Sequence, residues 1–191
     1  GADPMSVGAM AALAYPDRVA LARALAPGPD LLLLDEPFSN LDFDLRERIS
    51  LEVRDILKAA GTTAILVTHD QHEAFALADE IGIMKDGAIE QWDTAYNLYH
   101  RPRTRFVADF VGQGVFLRGI AEGSERLSTE LGELAGEWPT KVAPGGAIDL
   151  LLRPDDIVHD DTSPWQAEVC AKAFRGAEFL YTLKLASGTR V

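Results

Sequence analysis

Apolar positions in the first part of the chain alternate between continuous runs and helical spacing. Two runs, LLLLD over residues 31–35 and TTAILVTHD over residues 62–70, are bounded by turn residues, which predicts strands buried on both faces. Between them, residues 44–60 repeat apolar side chains at spacings of three and four before Gly61, which predicts an amphipathic helix. Shorter helices are expected over residues 6–14, 17–26, 71–79, 94–100 and 104–112. This order indicates an α/β layer with a parallel sheet.

The pattern changes in the second part of the chain. A hairpin is predicted over residues 80–92, because the turn signal KDG at 85–87 separates two apolar runs. After Gly112, strand-like runs alternate with glycine, proline, aspartate and serine. These runs cover residues 115–121, 147–153, 165–174 and 178–186. We therefore expect an α/β domain over residues 1–112 and a small, all-β barrel or sandwich over residues 113–191.

Composition narrows the function classes. The 191 residues are 47% hydrophobic and 25% charged, which is ordinary for a globular protein that buries a core. The net charge of −12 argues against a nucleic acid partner, because gripping a phosphate backbone requires a basic surface. The single cysteine, Cys170, has apolar neighbours and is expected to be buried. No apolar run approaches the ~20 residues of a membrane helix, and the first residues lack a signal-peptide pattern.

Three ionisable side chains follow the two predicted central strands: Asp35, Glu36 and His69. Ligands of open α/β sheets bind beyond the carboxyl ends of strands, so these groups are expected at one edge. An acid that helps to hold Mg²⁺, an acid that polarises water and a histidine near the terminal phosphate suit nucleotide hydrolysis. Taken alone, LLLLD predicts a strand-end turn about as well. The adjacent acid, the SNLD turn and the downstream THD favour the hydrolytic site.

The segments LLLLDEPFSNLD and ILVTHDQHEA resemble the ATP-binding cassette (ABC) ATPases. The segment RVALARAL over residues 18–25 is similar to the helix that follows the LSGGQ signature in that family. The resemblance covers roughly residues 15–112 and implies the second half of a cassette with an incomplete P-loop NTPase fold. It also implies ATP and Mg²⁺ as ligands.

The same resemblance implies a role for each matching residue. Asp35 would organise Mg²⁺, usually through water, and Glu36 would be the catalytic carboxylate. His69 would sense the γ-phosphate and orient the attacking water. Ser39 and Asp42 would belong to the D-loop, which communicates across a dimer of cassettes.

Two family motifs do not occur in the sequence given. LSGGQ is absent, and none of the 16 glycines precedes a lysine, so G-x-x-x-x-G-K-[ST] is absent too. Backbone N–H groups and the lysine of that loop supply most of the grip on the phosphates. The chain as given is therefore expected not to hydrolyse ATP measurably.

The later segments narrow the resemblance to importers. Residues 87–112 resemble the C-terminal cassette helices of importers for ions, sugars, polyamines and metals, and QWDTAYNLYHRP with FVGQGVFLRG is similar to ferric-iron importers. LLRPDDI over residues 151–157 resembles a strand of the transport-associated OB-like domain, which is expected to be incomplete at Val191. The resemblance implies a cytoplasmic subunit on the inner face of the plasma membrane. Its partners would be permease subunits and a second copy of the cassette.

Two other functions stay open at this point. The chain could serve as a non-catalytic regulatory or oligomerisation module, that is, a partial cassette with its accessory β-domain. A cassette protein without a transport role is a weaker alternative, because such proteins do not usually carry the LRP-containing domain. The complete upstream sequence distinguishes the catalytic from the regulatory hypothesis, since it either encodes the missing motifs or does not.

Overall fold

The computed structural model describes residues 16–39, 41–136 and 142–191, so the helix expected over residues 6–14 lies outside the described residues. The chain is a mixed α/β protein that falls into two compact units, and the division falls after Arg103. No helix within the described ranges has both the length and the apolar character needed to cross a membrane.

The first unit contains helices and strands in the predicted order, with a β-hairpin after its third helix. The helices are α1 (Pro16–Leu25), α2 (Phe43–Ala60), α3 (Gln71–Leu77) and α4 (Ala95–His100). The strands are β1 (Leu31–Asp35), β2 (Thr63–Val67), β3 (Ile81–Lys85) and β4 (Ala88–Asp93). Asp42 caps α2 by accepting a hydrogen bond from Leu45 N at 3.0 Å, and Gly61 ends it with a φ of 65°. A side-chain cap and a left-handed glycine thus define this helix.

One face of β1 forms the core of the first unit with α1 and α2. Leu32 belongs to one buried cluster with Leu21 and Leu25 of α1 and with Ile49 and Val53 of α2. The helical residues are spaced by four, so each helix turns one apolar stripe toward the strand. Each such side chain contributes roughly 1.5–3 kcal/mol through burial.

The opposite face of the β1–β2 pair is open, which corrects the prediction that both strands are buried on both faces. The two strands pair in parallel, with Leu33 opposite Ile65 and Asp35 opposite Val67. Leu31, Leu33, Ile65 and Val67, here called the open sheet face, are each about half or more exposed. The reason is that, among the described residues, the sheet has two strands and its core lies on one side.

The β3–β4 hairpin follows its turn signal. Asp86 and Gly87 both have positive φ angles, 49° and 79°, as a type I′ turn requires. Gln91 of β4 is 2% exposed, and its side chain donates to Arg101 O at 3.2 Å and accepts from Arg103 N at 2.7 Å. This buried amide therefore ties β4 to the segment that follows α4.

The second unit consists of one helix and six strands among the described residues. Its elements are α5 (Arg105–Val111), β5 (Val115–Ala121), β6 (Arg126–Thr129), β7 (Gly132–Ala135), β8 (Ala147–Leu152), a 3₁₀ turn (Pro154–Asp156), β9 (Glu168–Phe174) and β10 (Phe179–Lys184). Strands β5 to β8 form an antiparallel sheet in the order β7-β6-β5-β8, and β9 pairs with β10 separately. The sequence predicts β5, β8, β9 and β10. It misses β6 and β7, which have four residues each and little apolar periodicity.

Arg153 joins the helix of this unit to its sheet. Its side chain is 2% exposed, and its guanidinium donates to Ala108 O at 3.0 Å, Gly112 O at 2.6 Å and Gln113 O at 3.0 Å. The last carbonyls of a helix lack partners within the helix. Arg153 satisfies them at the end of α5 and so fixes the entry of the chain into β5.

The β9–β10 hairpin is exposed along its length. Cys170 of β9 is exposed, which corrects the prediction that it is buried, and its Sγ lies 3.3 Å from Thr182 O. Lys172 Nζ lies 3.8 Å from the ring centroid of Phe179. An apolar neighbourhood in sequence does not bury a residue here, since in the part of the chain that the structure describes the hairpin forms a sheet of its own.

Candidate active site

Glu36 leaves the end of β1 in an unusual backbone conformation. Its N–H donates to Val67 O at 2.8 Å, which extends the β1–β2 ladder by one bond. Its φ is then 43°, in the left-handed region that costs non-glycine residues about 1–2 kcal/mol. This backbone turns the chain sharply at the edge of the sheet and points the carboxylate toward the end of β2.

His69 meets Glu36 at this edge. It follows β2, and its Nδ1 lies 3.1 Å from Glu36 Oε1. Both side chains face solvent, with 73% of His69 and 49% of Glu36 exposed. The structure thus brings together two of the residues proposed from sequence, and the carboxylate oxygen is an acceptor for a proton on Nδ1.

Asp35 ends β1 beside Glu36, in register with Val67, and is exposed. The described residues contain no group of three or more His, Cys, Asp or Glu side chains that could hold a metal ion by themselves. Mg²⁺ commonly keeps several waters and binds one or two carboxylates together with substrate phosphates. A single exposed carboxylate at the strand end fits that kind of binding.

The segment after Glu36 is a tight turn anchored by Phe38. Phe38 is buried in the core cluster, while Ser39 N donates to Glu36 O at 3.3 Å and Leu41 N to Phe38 O at 3.1 Å. Ser39 is exposed near the edge, and Asp42 uses one carboxylate oxygen as the cap of α2. Asn40 lies outside the described residues.

Asp70 follows His69 and caps α3. Its Oδ1 accepts hydrogen bonds from His72 N at 2.8 Å and from Glu73 N at 3.4 Å, and its Oδ2 accepts one from Arg46. Burial alone would raise the pKa of Asp70. The hydrogen bonds from Arg46 and the two backbone amides outweigh it, so this pKa lies below the ordinary value of the carboxyl group.

Sequence reasoning did not identify Arg46, Thr68 or Glu73, which form a polar cluster with Asp70 behind His69. One signal could have pointed to part of it. Asp70 and Glu73 have the spacing of a capping box, which marks both the start of α3 and a carboxylate at its third position. The charged partner of Glu73, Arg46, lies on another helix, and no local pattern identifies it.

Comparison with known proteins places this geometry in a family. No protein-family model matches the chain. A spermidine/putrescine import ATP-binding protein of Ruegeria pomeroyi is 48% identical over 72% of this chain and 38% of its own length. An Fe(3+) ions import ATP-binding protein of Streptomyces avermitilis is 42% identical over 83% of this chain and 45% of its own length. A spermidine/putrescine import protein of Pseudomonas aeruginosa is 40% identical over 91% and 51%, respectively.

Over most of its length the chain is thus homologous to ATP-binding proteins of ABC importers. The resemblance to the ABC ATPases that was drawn from LLLLDEPFSNLD and ILVTHDQHEA is therefore confirmed. The chain spans about half the length, or less, of the curated relatives it matches.

Proposed function

We propose that this chain is the part of an ABC importer ATPase that activates water for ATP hydrolysis, which drives solute uptake through a membrane permease. The observation that carries the proposal is the contact of Glu36 Oε1 with His69 Nδ1 at 3.1 Å, at the carboxyl ends of two paired parallel strands. That edge is where α/β proteins bind ligands. The relatives described above are all import ATP-binding proteins, which supports the same function and favours it over a non-catalytic regulatory module.

Each side chain at the edge has a separate role in this proposal. Bound Mg²⁺ would neutralise charge on the phosphates, and Asp35 would hold it through water. Glu36 orients the attacking water and accepts its proton. His69 contacts the γ-phosphate through Nε2, because Glu36 occupies Nδ1. A neutral ring whose Nδ1–H donates a hydrogen bond to Glu36 has only an acceptor at Nε2. A hydrogen bond from His69 to phosphate therefore requires a proton on both ring nitrogens or loss of the Glu36 contact.

The wider assembly is part of the same proposal. Residues 1–112 form the second half of a cassette with a parallel P-loop NTPase sheet, and residues 113–191 belong to an OB-like domain. The chain forms a dimer with a second copy, and Ser39 and Asp42 face a nucleotide bound in that dimer. The dimer binds permease subunits at the cytoplasmic face of the membrane. The solute is a cation such as ferric iron or a polyamine, since the relatives are import proteins for Fe(3+) ions and for spermidine and putrescine.

The test is ATP turnover by the complete gene product assembled with its permease. Replacing the general base, Glu36→Gln, is expected to lower kcat at least ~100-fold, the lower end of what a positioned base contributes. The matched control is Glu47→Gln, an exposed glutamate of α2, which should leave kcat unchanged. Absence of turnover in the wild-type product, or equal kcat in wild type and Glu36→Gln, would contradict the proposal. The 191-residue chain alone should give no turnover above background.

A further inference from the structure

His69 is held in place mainly by its neighbours. Its side chain is 73% exposed and touches Glu36, whose own side chain is half exposed. The residues on either side of it are fixed instead: Asp70 N donates to Thr68 Oγ1 at 3.0 Å, and Thr68 Oγ1 donates to Glu73 Oε2 at 2.5 Å. The position of His69 therefore depends on the polar cluster behind it.

Arg46 of α2 connects that cluster to the turn after β1. Its Nη1 binds Asp70 Oδ2, and its Nη2 donates to Leu41 O at 2.8 Å. Its Nε lies 3.5 Å from Glu73 Oε1, an ion-pair distance without hydrogen-bond geometry. One rigid guanidinium thus contacts the segment before α2 and the segment after β2 at once.

The burial of the Glu73 carboxylate requires a positively charged side chain at position 46. The Glu73 side chain is 3% exposed, and a carboxylate removed from water requires a charged or hydrogen-bonding partner. Arg46 supplies that charge, and its planar fork leaves Nη2 free to reach Leu41 O. A lysine has one ammonium group, so it can approach the carboxylates or the carbonyl but not both.

We propose that Arg46 is a positioning residue that couples the D-loop to His69, so that displacement of Leu41 moves His69 relative to Glu36. This inference rests on the proposed function of Glu36 and His69 in water activation. Arg46 itself does not touch the reacting atoms. It acts through Asp70, Thr68 and the backbone between them.

The first test separates positioning from stability. In the variant Arg46→Met with Glu73→Leu, an apolar pair replaces the buried charges, and such exchanges are often neutral or stabilising. Glu73→Leu also removes the acceptor of Thr68 Oγ1, so Glu73→Leu alone is measured as well, and only the further change on adding Arg46→Met is assigned to Arg46. We expect amide hydrogen exchange in the middle of α2 to match wild type, while residues 37–42 and 68–73 exchange about tenfold faster. Unchanged protection in either segment, or faster exchange throughout the first unit, would overturn the proposal.

The matched control uses the same two substitutions at another ion pair of the same helix. Arg48 Nε lies 4.0 Å from Glu52 Oε1 on the exposed side of α2. Arg48→Met with Glu52→Leu should leave exchange in both segments as in wild type. Arg46→Lys, which keeps the charge, should speed amide exchange in residues 37–42 but not in residues 68–73. If both segments exchange as slowly as in wild type, the two-pronged guanidinium is not required and the proposal fails.

The second test measures catalysis in the complete gene product with its permease. Arg46→Lys is expected to lower kcat about tenfold and to change KM for ATP less than twofold, since the Arg46 guanidinium is engaged by Asp70, Glu73 and Leu41 O. Unchanged kcat would refute the coupling to His69. If the wild-type product has no ATPase activity, the proposed function fails, whereas the exchange data still decide whether Arg46 links the two segments.

Discussion

Arg153 in the second unit and Arg46 in the first both contact several chain segments, but their acceptors differ. Arg153 is 2% exposed and donates to three neutral backbone carbonyls near the end of α5. Arg46 is 22% exposed and divides its guanidinium between two carboxylates and one carbonyl. Bonds to neutral carbonyls at a helix end let Arg153 stabilise the end of α5. Carboxylates on one segment and a carbonyl on another give Arg46 control over their relative position.

The largest expected effect tests the structural side of this comparison. Arg153→Met removes the charged donor from Ala108 O, Gly112 O and Gln113 O, and hydrogen bonds of this kind contribute about 1.5–3 kcal/mol each. We expect the second unit to lose roughly 4.5 kcal/mol or more of unfolding free energy, the lower end of that range for three bonds, measured by urea denaturation with circular dichroism. Arg105→Met is the control, because Arg105 pairs with an exposed carboxylate and should cost about 1 kcal/mol or less. Equal losses would show that burial of Arg153 adds nothing.

A smaller loss is expected for Arg46→Met, which leaves the Glu73 carboxylate without its guanidinium. Breaking a buried pair costs about 3–5 kcal/mol, and the partial exposure of Arg46 reduces this to roughly 2–3 kcal/mol at pH 7. Adding Glu73→Leu should recover most of the loss in the same urea experiment. If the double variant is as unstable as Arg46→Met alone, the loss does not come from the unpaired Glu73 carboxylate. Arg46 would then stabilise the fold in the same way as Arg153, through backbone carbonyls.

The pH dependence of the stability lost in Arg46→Met is a further control. Hydrogen bonds hold the pKa of Asp70 below its ordinary value although burial opposes them. A depressed folded-state pKa contributes stability above the unfolded pKa and loses it as pH falls through the folded value. The difference between wild type and Arg46→Met should therefore shrink below about pH 4, whereas that for Arg153→Met should persist. A pH-independent Arg46→Met difference would contradict the assignment.

The smallest expected effect concerns Glu36, whose positive φ angle costs the folded state some stability. Asparagine adopts a positive φ more readily than glutamate, so Glu36→Asn should raise the unfolding free energy by up to about 1 kcal/mol. Glu36→Gln keeps the side-chain length and should stay within about 0.5 kcal/mol of wild type. Identical stabilities of the two variants would show that the φ of 43° carries no strain.

Local signals in the sequence were sufficient for most elements of the fold. The run LLLLD gives β1, the Asp42 cap and the Gly61 stop delimit α2, and the KDG signal gives the type I′ turn between β3 and β4. Each depends on residues within a few positions of one another. The same reasoning placed Glu36 and His69 at a common edge, because two parallel strands connected by a helix carry their carboxyl ends together.

Non-local features were not predicted. The exposure of Leu33 and Cys170 depends on which elements cover a sheet face, and apolar composition does not reveal that. The contacts of Arg46 with Glu73 and of Arg153 with Ala108 join residues far apart in the chain. Arginine side chains usually face solvent, whether they lie on a helix, like Arg46, or just after a strand, like Arg153, so sequence alone favours exposure for both.

The parallel pairing of β1 with β2 also sets the order in which the site is assembled. Glu36 leaves the ribosome before the 18 residues of α2, and His69 follows only after them. Parallel strands need such a crossover before they can pair, and non-local pairing forms slowly. The Glu36–His69 contact therefore requires the crossover through α2 to be complete, and a spectroscopic probe on either residue would report the pairing of β1 with β2.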